Sequence, residues 1–152
     1  RSTQKFKDRT IKKTYLAVVK GHPEKTGTVN YHIVRHPTHR NKMTYVCGHE
    51  LSESWAKRAR ASQTLYEVKE YFSENTLIEA KPVTGRTHQI RVHMASIGHV
   101  LIGDVVYGRK THLIERQALH ASRLEFEYDD MQYSFEGPLP EDFDKLINQQ
   151  RD

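Results

Sequence analysis

Lys81-Pro-Val-Thr-Gly-Arg-Thr-His-Gln-Ile-Arg-Val-His93 is the stretch whose residue types and spacing could do chemistry. A strand ends there, Gly85 turns the chain, and a helix opens with Arg86, His88 and Arg91 in its first turns. Unpaired N–H groups at a helix start favour anions, and two arginines add bidentate donors of fixed charge. Such a site suits a phosphate or an ionised carboxylate, while a capped surface helix with solvated arginines would leave the same pattern. His36, His39, Cys47 and His49 bring four potential metal ligands together as H-x2-H-x7-C-x-H. Structural zinc sites pair ligands as C-x2–4-C and H-x3–5-H, and Arg35, Arg40 and Lys42 would repel a cation, so no metal site is expected. Cys47 has no partner identifiable from sequence that would make it a nucleophile. Phosphate loops, nucleophile elbows and dinucleotide fingerprints are absent.

The elements that must hold these residues are mostly strands. Thr14–Val19 is apolar on both faces, with Tyr15, Ala17 and Val19 on one and Thr14, Leu16 and Val18 on the other, as in a central strand. Val29–Val34 and Met43–Cys47 read as two shorter strands. Thr64–Phe72 and Thr76–Lys81 flank the turn Ser73-Glu74-Asn75, which predicts a hairpin. In a second hairpin Leu124, Phe126 and Tyr128 face Met131, Tyr133 and Phe135 across Asp129-Asp130. Its period of two predicts one buried and one wet face. Helices are expected over Thr87–Ile97, stopped by Gly98, and over Glu141–Gln149, with Phe143, Leu146 and Ile147 as its apolar stripe. The fold class is therefore α+β, a mixed, mostly antiparallel sheet with few helices, in a single domain over residues 1–152.

Charge is divided along the chain. The total is +5 at pH 7, yet residues 1–60 hold fourteen Lys and Arg against four acidic residues. Residues 61–152 reverse the balance, with ten against fifteen. A basic half of this kind is the footprint of a polyanion partner, most often nucleic acid. One cysteine excludes an internal disulfide framework and fits a reducing cytoplasm. No apolar run approaches the ~20 residues of a membrane span, and no signal-peptide core opens the chain.

Four motifs in order carry a resemblance: Lys13-Thr-Tyr-Leu-Ala-Val-Val-Lys-Gly21, Thr84–His93, Gly98–Gly108 and Leu119-His-Ala121, followed by Pro138-Leu-Pro140 with Phe143. Together they resemble the RluA-type pseudouridine synthase family, over nearly the whole chain. The resemblance implies a pseudouridine synthase catalytic domain that isomerises uridine in RNA, ribosomal RNA being the expected substrate, with no metal or cofactor. By position, Tyr15 resembles the tyrosine that packs on the target base, and Arg91 the arginine that pairs with the catalytic carboxylate. Leu119 resembles the leucine beside the base. Arg86 and His88 would either position RNA phosphate or fix the loop. Lys12, Lys13, Arg40, Lys57, Arg58 and Arg60 are the expected contacts to the RNA backbone.

The family's nucleophilic aspartate lies in H-R-L-D-x-x-T-S-G, a segment absent from these 152 residues. Asp8 aligns downstream of it, and Asp104 belongs to a Gly-Asp turn expected to shape the loop after the helix. The expectation is thus the C-terminal part of a catalytic domain, inactive by itself, with self-association through edges left exposed. The alternative is a non-catalytic RNA-binding module.

Overall fold

The computed structural model describes residues 11–47 and 53–152; Asp8 and His49 lie outside them. A six-stranded sheet runs in the order β2-β5-β6-β1-β7-β8, and β3 and β4 form a separate two-stranded sheet. The strands are β1 (Lys12–Lys20), β2 (Thr26–Val29), β3 (His32–Arg35), β4 (Met43–Val46), β5 (Thr64–Tyr71), β6 (Asn75–Pro82), β7 (Leu119–Tyr128) and β8 (Met131–Glu136). Among the described residues the helices are α1 (Gln89–Ser96) and α2 (Glu141–Gln150), and Trp55–Arg58 forms a 3₁₀ turn. Every described strand pairing is antiparallel. No described helix is long and apolar enough to cross a membrane.

Strand β1 is internal, paired with β6 on one side and β7 on the other. Its two apolar faces serve two cores. Ala17 and Val19 join Ile78, Ala80, Leu101 and the α1 residues Ile90 and Met94, whereas Val18 joins Phe143, Leu146 and Ile147 of α2. At about 25 cal/mol per Å² of apolar surface, a sheet covered by a helix on each face is the main stabilising feature. Gly98 ends α1 with φ 86°, in the left-handed region expected of a residue after a helix.

Three expectations require correction. The stretch Val29–Val34 is not one strand. It breaks at Asn30-Tyr31, leaving β2 on β5 and sending β3 into the small sheet with β4. Helix α1 begins two residues later than its periodicity suggests, because His88 takes a left-handed conformation with φ 56°. Strand β8 has no buried face: all six of its residues are exposed, with Met131 at 60% and Phe135 at 57%. Nothing among the described residues covers it, so Phe126, Tyr133 and Phe135 pack on one another instead of beneath a helix.

Candidate active site

Where β1 meets β7, the register slips between Thr14 and Tyr15: Thr14 lies opposite Arg123, and Tyr15 opposite Ala121. The extra residue is Ser122, whose hydroxyl donates to the Thr14 carbonyl at 3.1 Å. A β-bulge of this kind re-aims the neighbouring side chain. Tyr15 is half-buried there beside Leu119, which starts β7 on the same sheet face, and both pack on the α1-side core.

These residues line a cavity of about 510 Å³. Tyr15 and Lys13 come from β1, Leu119 from β7, and Arg86, His88 and Arg91 from the loop and first turn of α1. Motifs separated by up to a hundred residues thus meet on one concavity. Lys12 is exposed at the start of β1, and Lys57 is exposed on the 3₁₀ turn. Arg40, Arg58 and Arg60 lie elsewhere, in a second groove.

Arg91 is not a solvated helix arginine. Its side chain is 11% exposed, and its Nε and Nη2 donate to the two carboxylate oxygens of Asp104 at 2.7 and 3.1 Å. Asp104 is fully buried and also accepts the N–H groups of Val106 and Tyr107. Burial works to raise its pKa. The bonds from Arg91 and the two amides outweigh that and hold the carboxyl below its ordinary value. Asp104 does shape the loop, as its Gly-Asp turn suggests, but it also neutralises Arg91. The arginine therefore offers the site its remaining oriented N–H donors more than an uncompensated charge. Gly103, just before it, has φ 79°, and a Cβ there would lie 2.2 Å from the Arg116 carbonyl oxygen.

Arg86 fixes the loop. Its Nε and Nη2 both donate to the Ala61 carbonyl, at 3.1 and 2.9 Å, and its own N–H donates to Gln89 Oε1. His88 Nδ1 lies 2.8 Å from the Tyr107 hydroxyl, which already accepts the Met43 N–H at 2.7 Å. That hydroxyl is therefore best placed to donate to Nδ1, leaving His88 neutral with its proton on Nε2. Burial first, and then the Arg91 charge, lower the His88 pKa, with Asp104 partly opposing them and Arg35 adding to them.

Two further participants were not singled out from the sequence. Gln89, 4% exposed, accepts from Thr84 Oγ1 and the Arg86 N–H, and donates to the Gln63 carbonyl and Thr64 Oγ1. All of its polar capacity is satisfied, which ties the loop to β5. Tyr107 lies under the Arg91 guanidinium, 5.2 Å from ring centroid to Cζ. Both lie inside quoted motifs, Gln89 in Thr84–His93 and Tyr107 in Gly98–Gly108, but their roles come from partners that only the fold supplies. Among the candidate metal ligands, His36 Nδ1 is engaged by the N–H groups of Thr38 and His39, which makes it a turn cap.

Comparison with known proteins gives the family. The family model for RNA pseudouridylate synthase matches residues 1–96. The chain is 40% identical over 155 residues to a ribosomal large subunit pseudouridine synthase D of Nitrosomonas europaea, covering 95% of this chain and 42% of that protein. It is likewise 40% identical to the protein of the same name from Zymomonas mobilis, covering 93% and 46%. The chain thus spans about half the length of the curated relatives it matches. Among solved structures, human RNA pseudouridylate synthase domain containing 1 superposes with a TM-score of 0.76 at 29% identity, over 88% of this chain and 56% of that one. With a matching family model over most of its residues, and a cavity where the separate motifs converge, the chain belongs to the RNA pseudouridylate synthase family.

Proposed function

We propose that this chain forms the base-holding side of an RNA uridine isomerase, acting on ribosomal RNA in the cytoplasm. The observation that carries the reading is the meeting of Tyr15, Arg91 and Leu119, from three separate motifs, on one cavity. In the reaction the N1–C1′ bond of uridine breaks and a C5–C1′ bond forms; C5 loses its proton and N1 gains one. The base must leave its stack to react. Tyr15 supplies the π face that replaces it, and Leu119 the apolar wall beside it. Arg91, oriented by Asp104, directs its free N–H groups toward the attacking carboxylate. Arg86 and Gln89 hold the loop in place, and Lys13 at the rim meets RNA phosphate.

The H-R-L-D segment that would carry the attacking aspartate is absent from these 152 residues, so the chain alone is expected to bind RNA without isomerising it. Ribosomal RNA carrying 5-tritiated uridine tests the reading, since tritium reaches solvent only when C5 is joined to ribose. A polypeptide that adds the H-R-L-D segment should release tritium. Tight RNA binding with no release from that polypeptide would favour the non-catalytic binding module. The exposed β8 edge also supports self-association, through pairing of β8 with a second copy.

A further inference from the structure

At the cavity where Tyr15 sits, Arg91 is neutralised by Asp104, which leaves the charges of Lys13 and Arg86. Positive charge is denser in a groove of about 520 Å³ between the β3–β4 hairpin and the 3₁₀ turn. Arg35, Arg40, Arg58 and Arg60 line it together with Trp55, and no carboxylate lines it among the described residues. Four like charges around one concavity repel each other when it is empty, and each gains when a polyanion enters.

The groove is built, not incidental. The backbone of Arg60 exchanges both hydrogen bonds with Ile33, at 3.0 and 2.9 Å, which fixes the segment after the 3₁₀ turn against β3. Arg35 donates to the Arg40 carbonyl across the hairpin turn at 3.1 Å, which holds one guanidinium while leaving its other N–H groups available. Trp55 is half-buried on the small core of Val34, Val46 and Ala56. An aromatic face among guanidinium groups suits one ligand chemistry above others: a nucleotide, with its phosphate on the arginines and its base on the ring.

We infer that this groove is a second RNA site, which takes an unpaired nucleotide and its phosphodiester while the target uridine occupies the cavity at Tyr15. The inference rests on the RNA reading above and adds to it a place and a chemistry. The two sites are joined by a short hydrogen-bond relay through the Tyr107 side chain. Met43 lines the groove, its N–H donates to Tyr107, and Tyr107 bonds His88 at the cavity. A strand seated on the arginines would thus meet the rigid hairpin that abuts the uridine site.

Trp55 is the only tryptophan in the sequence, so intrinsic tryptophan fluorescence reports on this groove alone. The 152-residue chain is titrated with decauridylate at several salt concentrations. Binding should quench Trp55. The Arg40→Ala/Arg58→Ala variant should bind about tenfold more weakly, with a log–log salt slope smaller by about 1.4, or ~0.7 per lost phosphate contact. Both side chains are exposed, so an unchanged melting temperature checks that the variant is folded. RNA binding that leaves Trp55 fluorescence and the variant's salt slope unchanged would overturn the groove and leave the isomerase reading standing. Absence of salt-sensitive RNA binding by the unsubstituted chain would remove both. Equal quenching by a decaglutamate peptide would assign the groove to acidic protein and overturn the RNA site.

Discussion

Arg91 and Asp104 stand or fall together. Removing the arginine leaves a buried carboxylate without its cation, a change that typically costs 3–5 kcal/mol. Arg91→Ala should therefore lower the urea midpoint strongly even in the absence of RNA, so loss of activity in that variant would not by itself locate the chemistry. Arg91→Lys keeps the charge but loses the bidentate fork. In a polypeptide containing the nucleophile it should remain folded and lose turnover by about 100-fold, as expected for removal of an oriented donor. Turnover within a few-fold of the unsubstituted enzyme would remove Arg91 from the reacting centre. Tyr15 separates differently. Tyr15→Ala should cost about 1–3 kcal/mol in RNA affinity, the usual value of one stacked base, whereas Tyr15→Phe should bind normally. Equal affinity for the alanine variant would return Tyr15 to a core role.

Helix α1 is held by a chain of polar contacts as well as by Ile90 and Met94. Thr84 bonds Gln89, Gln89 bonds Thr64, Thr64 bonds His93 Nδ1 at 2.7 Å, and His93 Nε2 reaches the Tyr31 carbonyl at 2.8 Å. Because the Thr64 hydroxyl accepts from Gln89, it donates to Nδ1, and His93 is neutral with its proton on Nε2. Burial lowers the His93 pKa, partly opposed by the Tyr31 carbonyl. A histidine with a depressed folded-state pKa contributes its full stability above the unfolded value of about 6.5 and loses it as pH falls toward the folded value. The melting temperature should accordingly drop between pH 7.5 and pH 5.5. His88 shifts in the same direction and adds to the slope. His93→Gln should be less stable at pH 7.5 but should show a flatter pH dependence. An unaltered slope would mean that His93 is not the group being titrated.

Across the whole molecule, the basic groove and the exposed strand β8 come from opposite ends of the chain. The arginine groove belongs to the basic first sixty residues, while β8 lies in a segment from Leu124 to Asp144 that holds eight acidic residues and no Lys or Arg. An exposed edge strand carrying Met131 and Phe135 is a template for pairing with another chain. Sedimentation should show concentration-dependent dimers, and Phe135→Lys should shift the population toward monomer. A monomer at every concentration would remove β8 as an interface. The charge segregation also means that RNA should load from the arginine side and leave β8 clear.

Local pattern was enough for whatever a short window contains. Apolar residues on both faces of Thr14–Val19 place that strand inside the sheet, and Asp129-Asp130, both at positive φ, close the late hairpin where the alternation breaks. Gly98 ends α1, and the family motifs mark Tyr15, Arg91 and Leu119 before any coordinates are known. Partners distant in sequence were beyond that reach. Whether Arg91 faces water or Asp104, and whether Arg86 grips phosphate or the Ala61 carbonyl, depends on contacts thirteen and twenty-five residues away. The break at Asn30-Tyr31 belongs to the same class, since two sheets compete for one apolar run and His93 claims the Tyr31 carbonyl. Trp55 among four arginines is likewise a product of hairpin and turn meeting in space. Periodicity and turn chemistry are set by neighbouring residues, but the choice of partner for a charge or an amide is set by which elements pack together, and that is decided only in the folded chain.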